Sequence, residues 1–145
     1  MKIEILHKEI DLIQDCISRM ANNSFLLKGW LISILAVILA LAEKQVNFLV
    51  LSTILIIPVL SFWYLDAYYL CTERKYRALY NWVLENRPKN KDLLYNLNHN
   101  RFENLVESIP EVMLSPTLRI FYGIPALILI LTIVFNLLKF FQIIS

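Results

Sequence analysis

Arg74, Lys75, Arg77, Arg87, Lys89 and Lys91 gather in one short stretch of this chain, with Tyr80 among them and Tyr68, Tyr76 and Trp82 interleaved. Residues 74–101 hold seven basic and two acidic side chains, a local excess of five positive charges in a protein whose net charge is +2. Cations attract phosphates, and aromatic rings accept stacked bases at about 1–3 kcal/mol each. The set therefore suits a nucleotide or a short single-stranded nucleic acid. A second origin fits the same residues, because Lys and Arg accumulate on the inner side of membrane proteins whatever those proteins do. On a helical wheel Arg74, Arg77 and Asn81 share one face, while Tyr69, Tyr76, Leu79, Tyr80 and Val83 share the opposite one.

Catalytic chemistry has little to work with. His7 and His99 stand alone, and no Cys/His cluster has the spacing of a metal site. Two glycines, Gly29 and Gly123, are too few for a phosphate-cradling loop. No Ser or Cys has a base nearby in sequence. The expectation is a protein that is not an enzyme and carries no cofactor or metal.

What must position the basic segment is apolar. The chain is 145 residues long and 58% hydrophobic, with mean hydropathy +0.57. Gln45 to Leu65 is a run of 21 residues without a charge, and Ile120 to Leu138 a run of 19. Phe25 to Ala42 is broken only by Lys28. About 20 apolar residues cross a hydrocarbon layer of roughly 30 Å. The fold class expected is therefore an all-α membrane protein. It has an amphipathic N-terminal helix, three transmembrane helices, and further helices between the second and third spans. The divisions are a leader at 1–24, a transmembrane hairpin at 25–65, a basic, aromatic-rich region at 66–115 and a third span at 116–145. MKIEILHKEI carries charges of both signs and does not read as a secretory signal, so the leader is expected to persist.

Within the leader, Ile3, Leu6, Ile10, Ile13, Ile17 and Met20 step by three and four residues, a heptad seam. Its occupant is either a second copy of the chain or the chain's own later helix. Asn22, Asn23 and Ser24 are expected to break or cap the helix before the first span. Lys28 and Trp30 suit the inner interface, with Lys28 snorkelling outward. Gly29, Ser33, Ala36 and Ala40 form a stripe of small residues of the kind that lets membrane helices approach. Glu43, Lys44 and Gln45 make a short turn, and Pro58 should kink the second span. Phe62, Trp63 and Tyr64 form an aromatic belt, and Asp66 is the first charge beyond it. A helix continues to about Glu85, and Asn86 to Asp92 turn the chain. Phe102, Leu105, Val106 and Ile109 then mark a helical face. Ser115 and Pro116 start the third span as cap and first residue, Gly123 and Pro125 weaken one of its turns, and Asn136 is a lone amide near its end.

Twelve of the fourteen Lys and Arg residues flank the N-terminal and 66–119 sides of the spans. This predicts a cytoplasmic N-terminus and basic segment. Cys16 and Cys71 then face a reducing compartment and stay unpaired.

Two stretches, MANNSFLLKGW at Met20 to Trp30 and FWYLDAYYLCTERKYRALY at Phe62 to Tyr80, resemble one family when taken together. The carriers are Asn23-Ser24-Phe25, Lys28-Gly29-Trp30, Trp63, Asp66-Ala67-Tyr68-Tyr69-Leu70, Glu73-Arg74 and Leu79-Tyr80. They are similar to the SLATT-type small membrane effectors, including the Hailong type, that accompany nucleotidyltransferases in bacterial anti-phage defence. The third span departs from the plain two-span pattern. The resemblance implies a homo-oligomer in the bacterial inner membrane that permeabilises it under the control of a nucleotide or oligonucleotide made by the associated nucleotidyltransferase. It supplies no ligand residue. Arg74, Lys75, Arg77, Tyr80, Arg87, Lys89 and Lys91 are assigned to the ligand from charge and facing. The leader seam and the small stripe are assigned to self-association. The competing expectation is a membrane adaptor that recruits a soluble partner through its leader helix.

Overall fold

A computed structural model describes residues 3–41, 47–87 and 94–144, and within them all regular structure is helical. The turn expected at Glu43, Lys44 and Gln45, and most of the turn expected between Asn86 and Asp92, lie outside the described residues. Helix α1 spans Ile3–Leu41 and α2 spans Phe48–Asn86. A 3₁₀ segment, His99–Leu105, and the short α3, Ile109–Met113, lead to α4, Pro116–Ile144. Three of these helices, α1, α2 and α4, are long and apolar enough to cross a membrane.

At 39 residues each, α1 and α2 are about 58 Å long, close to twice a hydrocarbon layer of roughly 30 Å. Each is thus an apolar half joined without interruption to a polar half. The expected break at Asn22, Asn23 and Ser24 is absent, and α1 runs through all three. Their weak helix propensity, a few tenths of a kcal/mol each, is overcome by packing. Ser24 is buried, and its hydroxyl is used on α2 rather than as a cap. Likewise α2 passes Pro58, and α4 passes Gly123 and Pro125, as continuous helices.

The two long helices pack antiparallel, with Glu9 opposite Arg87 at one end and Ser24 opposite Asp66 further along. Around the polar halves, Ile13, Leu79, Val83 and Phe102 form one buried cluster, with Leu6, Ile10 and Ile17 against it. Around the apolar halves, Leu31, Val59, Ala67, Cys71, Val112, Leu118, Tyr122 and Ala126 form a second. The spans make an open row. Helices α1 and α4 each pack on α2, and no described Cα of α1 lies within 8 Å of one in α4.

The return segment departs from the regular face expected over Phe102, Leu105, Val106 and Ile109. Phe102 alone of the four is buried, and its backbone (φ −109°) interrupts the 3₁₀ turns. Leu105 is 75% exposed. The Ser115 hydroxyl also makes no cap, since it has no hydrogen-bond partner among the described residues. Capping chemistry appears instead at α3, where the Ser108 N–H and hydroxyl both donate to the Glu111 carboxylate at 2.7 Å. These bonds hold the Glu111 carboxyl below its ordinary value. A depressed carboxyl stabilises the fold above its ordinary pKa, and that contribution is lost as pH falls through the depressed value. In Ser108→Ala, Glu111 should titrate closer to a free glutamate, which a carboxyl NMR titration can read.

Candidate functional site

The candidate site lies along the polar halves of α1 and α2. A groove of about 410 Å³ between them is lined by Gln14, Ile17 and Ser18 of α1 and by Arg77, Tyr80 and Asn81 of α2. A second recess, of about 310 Å³, adjoins it through Arg77 and Asn81 and adds Arg74, Leu105 and Glu107. The helical phase of α2 produces this arrangement. Residues three and four apart share a face, so Arg74, Arg77 and Asn81 line up, while Leu79 and Val83 turn inward to meet Ile13.

Each described cation of the expected site already has a carboxylate. Arg74 pairs with Glu107. Lys75 lies 3.6 Å from Glu103, and the Arg77 Nε bonds Glu73 Oε1 at 2.7 Å one turn away. These are partly exposed contacts, of a class contributing about 0–1 kcal/mol, so an incoming phosphate can displace them. Arg77 is the most available, with 62% of its side chain exposed. Tyr80 is half-buried at the groove wall.

Arg87, also expected at the ligand, is instead buried against α1. Its side chain is fully buried and grips Glu9 through two bonds, Nε to Oε2 at 2.7 Å and Nη2 to Oε1 at 2.5 Å. The Tyr95 N–H donates to the same carboxylate at 3.1 Å, and Tyr95 sits at φ 58°, in the left-handed region. A guanidinium fork on a buried carboxylate is a structural contact, and Arg87 lines neither recess. Trp82 is similarly occupied, with Arg87 5.2 Å and Arg101 4.9 Å from its ring centre. Tyr76 lies against His99, whose imidazole is pushed down by burial and by Lys75. Lys89 and Lys91 fall outside the described residues.

The leader seam is filled by the chain's own α2. Ile13 is completely buried there, with Leu6, Ile10 and Ile17 around it; Met20 is half-buried and Ile3 is exposed. Gly29, Ser33, Ala36 and Ala40 all face outward, the Ser33 hydroxyl turned back to the Gly29 carbonyl. Cys16 and Cys71 are free and buried.

A polar junction deeper along the row joins all three long helices. The Asp66 carboxylate is fully buried and takes Ser24 Oγ at 2.5 Å, Lys28 Nζ at 2.5 Å and the Tyr122 hydroxyl at 2.9 Å. Lys28 also reaches the Ser24 hydroxyl at 2.9 Å. Lys28 thus turns toward Asp66 with part of its side chain still exposed, and Asp66 is more than the marker of a span's end. Trp63 braces the junction, with its ring stacked on Tyr122 at 6.2 Å and its indole N–H on the Met113 carbonyl at 3.0 Å. The available signal was a lone Lys within one apolar run and a lone Asp closing the next, two charges that burial requires to be paired.

No family model, curated protein or solved structure matches this chain.

Proposed function

We propose that the protein is a homo-oligomeric membrane effector that conducts ions across the bacterial inner membrane, gated by an anionic nucleotide or oligonucleotide at the α1–α2 groove. The observation that carries this reading is continuity. The two helices that line the groove at Arg77, Tyr80, Gln14 and Ser18 are the same two that run unbroken into apolar halves. A ligand that prefers one spacing of α1 and α2 in the groove shifts the spans by that difference in affinity. The flat row of spans supports self-association, since three helices with two open sides enclose no path alone. The outward stripe of Gly29, Ser33, Ala36 and Ala40 is the face suited to close approach. With almost no charge on the apolar halves, the shut state is a hydrophobic constriction that gates by dewetting. The resemblance over residues 20–30 and 62–80 is what supports reading such a channel as an anti-phage defence effector, with a ligand supplied by a nucleotidyltransferase, and the Lys/Arg bias supports a cytoplasmic basic face.

Arg74 and Arg77 are the ligand's anchors in this reading, with Tyr80 as the stacking ring. The double variant Arg74→Glu/Arg77→Glu should bind short single-stranded oligonucleotides about 100-fold more weakly, from about 1.5 kcal/mol per charge-assisted bond lost. It should still insert into membranes. Unchanged affinity in titration calorimetry would remove the ligand from this groove.

A further inference from the structure

The groove lies between two ion pairs that pin α1 to α2, and the two are built differently. At the far polar end, Glu9 and Arg87 are both buried and joined by two bonds, with the Tyr95 N–H as a third donor. Toward the apolar halves, Lys28 holds Asp66 through one ammonium on a flexible stem, and 26% of the Lys28 side chain is exposed. An ammonium with a route to water can leave its partner, whereas a buried guanidinium fork cannot without stranding both charges.

We propose that the Lys28–Asp66 contact is the release point of the protomer. In this device the Glu9–Arg87 pair is the pivot, and α1 swings away from an α2–α4 unit that stays intact. Lys28 and Ser24 both belong to α1, so both leave Asp66 together, while the Tyr122 hydroxyl of α4 remains to hold the carboxylate. The hydrophobic contacts divide the same way. Between Gly29 and Ala40, Leu31 is the one buried residue of α1, whereas Leu118, Tyr122 and Ala126 of α4 are all buried in the cluster that includes α2. Since no described Cα of α1 approaches α4, α1 is held at that level by α2 alone, through the Asp66 junction and an apolar contact of Leu27, Leu31 and the partly buried Leu35. The consequence for conduction rests on the channel reading above, while the mechanical division of the protomer does not.

The test measures two spacings by pulsed electron spin resonance in lipid nanodiscs, after Cys16→Ala and Cys71→Ala. One pair of spin labels, on Ala36→Cys and Ile57→Cys, reports the apolar halves. The other, on Asp11→Cys and Asn81→Cys, reports the pivot end. All four positions are exposed. Lys28→Met and Asp66→Asn should each add a longer component at the 36–57 pair and leave the 11–81 pair unchanged, which also shows that the variant is folded. Lys28→Arg, which keeps the charge, should restore the single spacing. Ligand-free potassium leak from vesicles should rise at least ten-fold in the first two variants. A longer component without leak supports the release point and sinks the channel reading. An unchanged 36–57 spacing in both variants, with or without leak, overturns the release point, as does equal lengthening of both pairs.

Discussion

Replacing Arg87 with methionine is expected to destabilise the protein by about 3–5 kcal/mol, the cost of leaving one member of a buried ion pair uncompensated. The stranded group is Glu9, a buried carboxylate that would keep only the Tyr95 N–H of the contacts described above. Because Tyr95 holds a left-handed backbone, the loss should spread into the segment from residue 94 to the 3₁₀ turns. The double variant Glu9→Leu/Arg87→Met should recover most of the loss, since replacing both charges with apolar groups of similar size is close to neutral. Thermal unfolding in detergent reads the stability, and amide exchange reads the return segment. If Arg87 were instead a ligand anchor exposed to solvent, Arg87→Met would leave stability within about 0.5 kcal/mol.

Ile13→Asp carries the second large effect. It places a carboxylate at a position with no exposure, among Leu79, Val83 and Phe102. An unpaired charge in such a site costs several kcal/mol. The expected result is separation of the polar halves of α1 and α2, seen as loss of Trp82 emission character and faster amide exchange in both halves. This outcome also distinguishes the two occupants of the heptad seam. A seam between copies would give a folded protomer of reduced assembly size, measured by light scattering; a seam within the chain gives an unstable protomer.

The same residue shows what was legible in advance. The three-and-four spacing from Ile3 to Met20 located the buried face of α1, because periodicity reports which side of a helix is apolar. It carried no information on what fills that face, since a second copy and a second helix of the same chain demand the same pattern. The long apolar runs, two of them charge-free and the first broken only by Lys28, likewise located all three apolar helices, and α2 continues to Asn86, close to the expected end at Glu85. The stop at Asn22 to Ser24 failed because a local signal worth about 1 kcal/mol competed with a tertiary bond from Ser24 to a buried carboxylate. The positive excess over residues 74–101 is smaller in the fold than along the chain for a related reason: Glu103 and Glu107, just beyond Arg101, pair with Lys75 and Arg74. Net charge along a sequence is additive, whereas pairing depends on which elements meet. Asp66 was visible as a residue and invisible as a junction, because its three donors come from positions 24, 28 and 122.

What remains of the candidate site is narrower and better placed: Arg77 and Tyr80 at a groove shared with Gln14 and Ser18, and Arg74 in the recess beside it. The groove, the two ion pairs that bracket it and the apolar halves lie in sequence along one pair of helices. One pair of continuous helices thereby links the groove to the apolar halves.

Potassium efflux from vesicles reconstituted with the purified protein tests this connection most directly. Short single-stranded oligonucleotides added on the basic side should change the efflux of the native protein, and the change should vanish in Arg74→Glu/Arg77→Glu while the ligand-free rate persists. Vesicles that stay sealed with the native protein present, with and without the oligonucleotides and in Lys28→Met as well, would contradict the account.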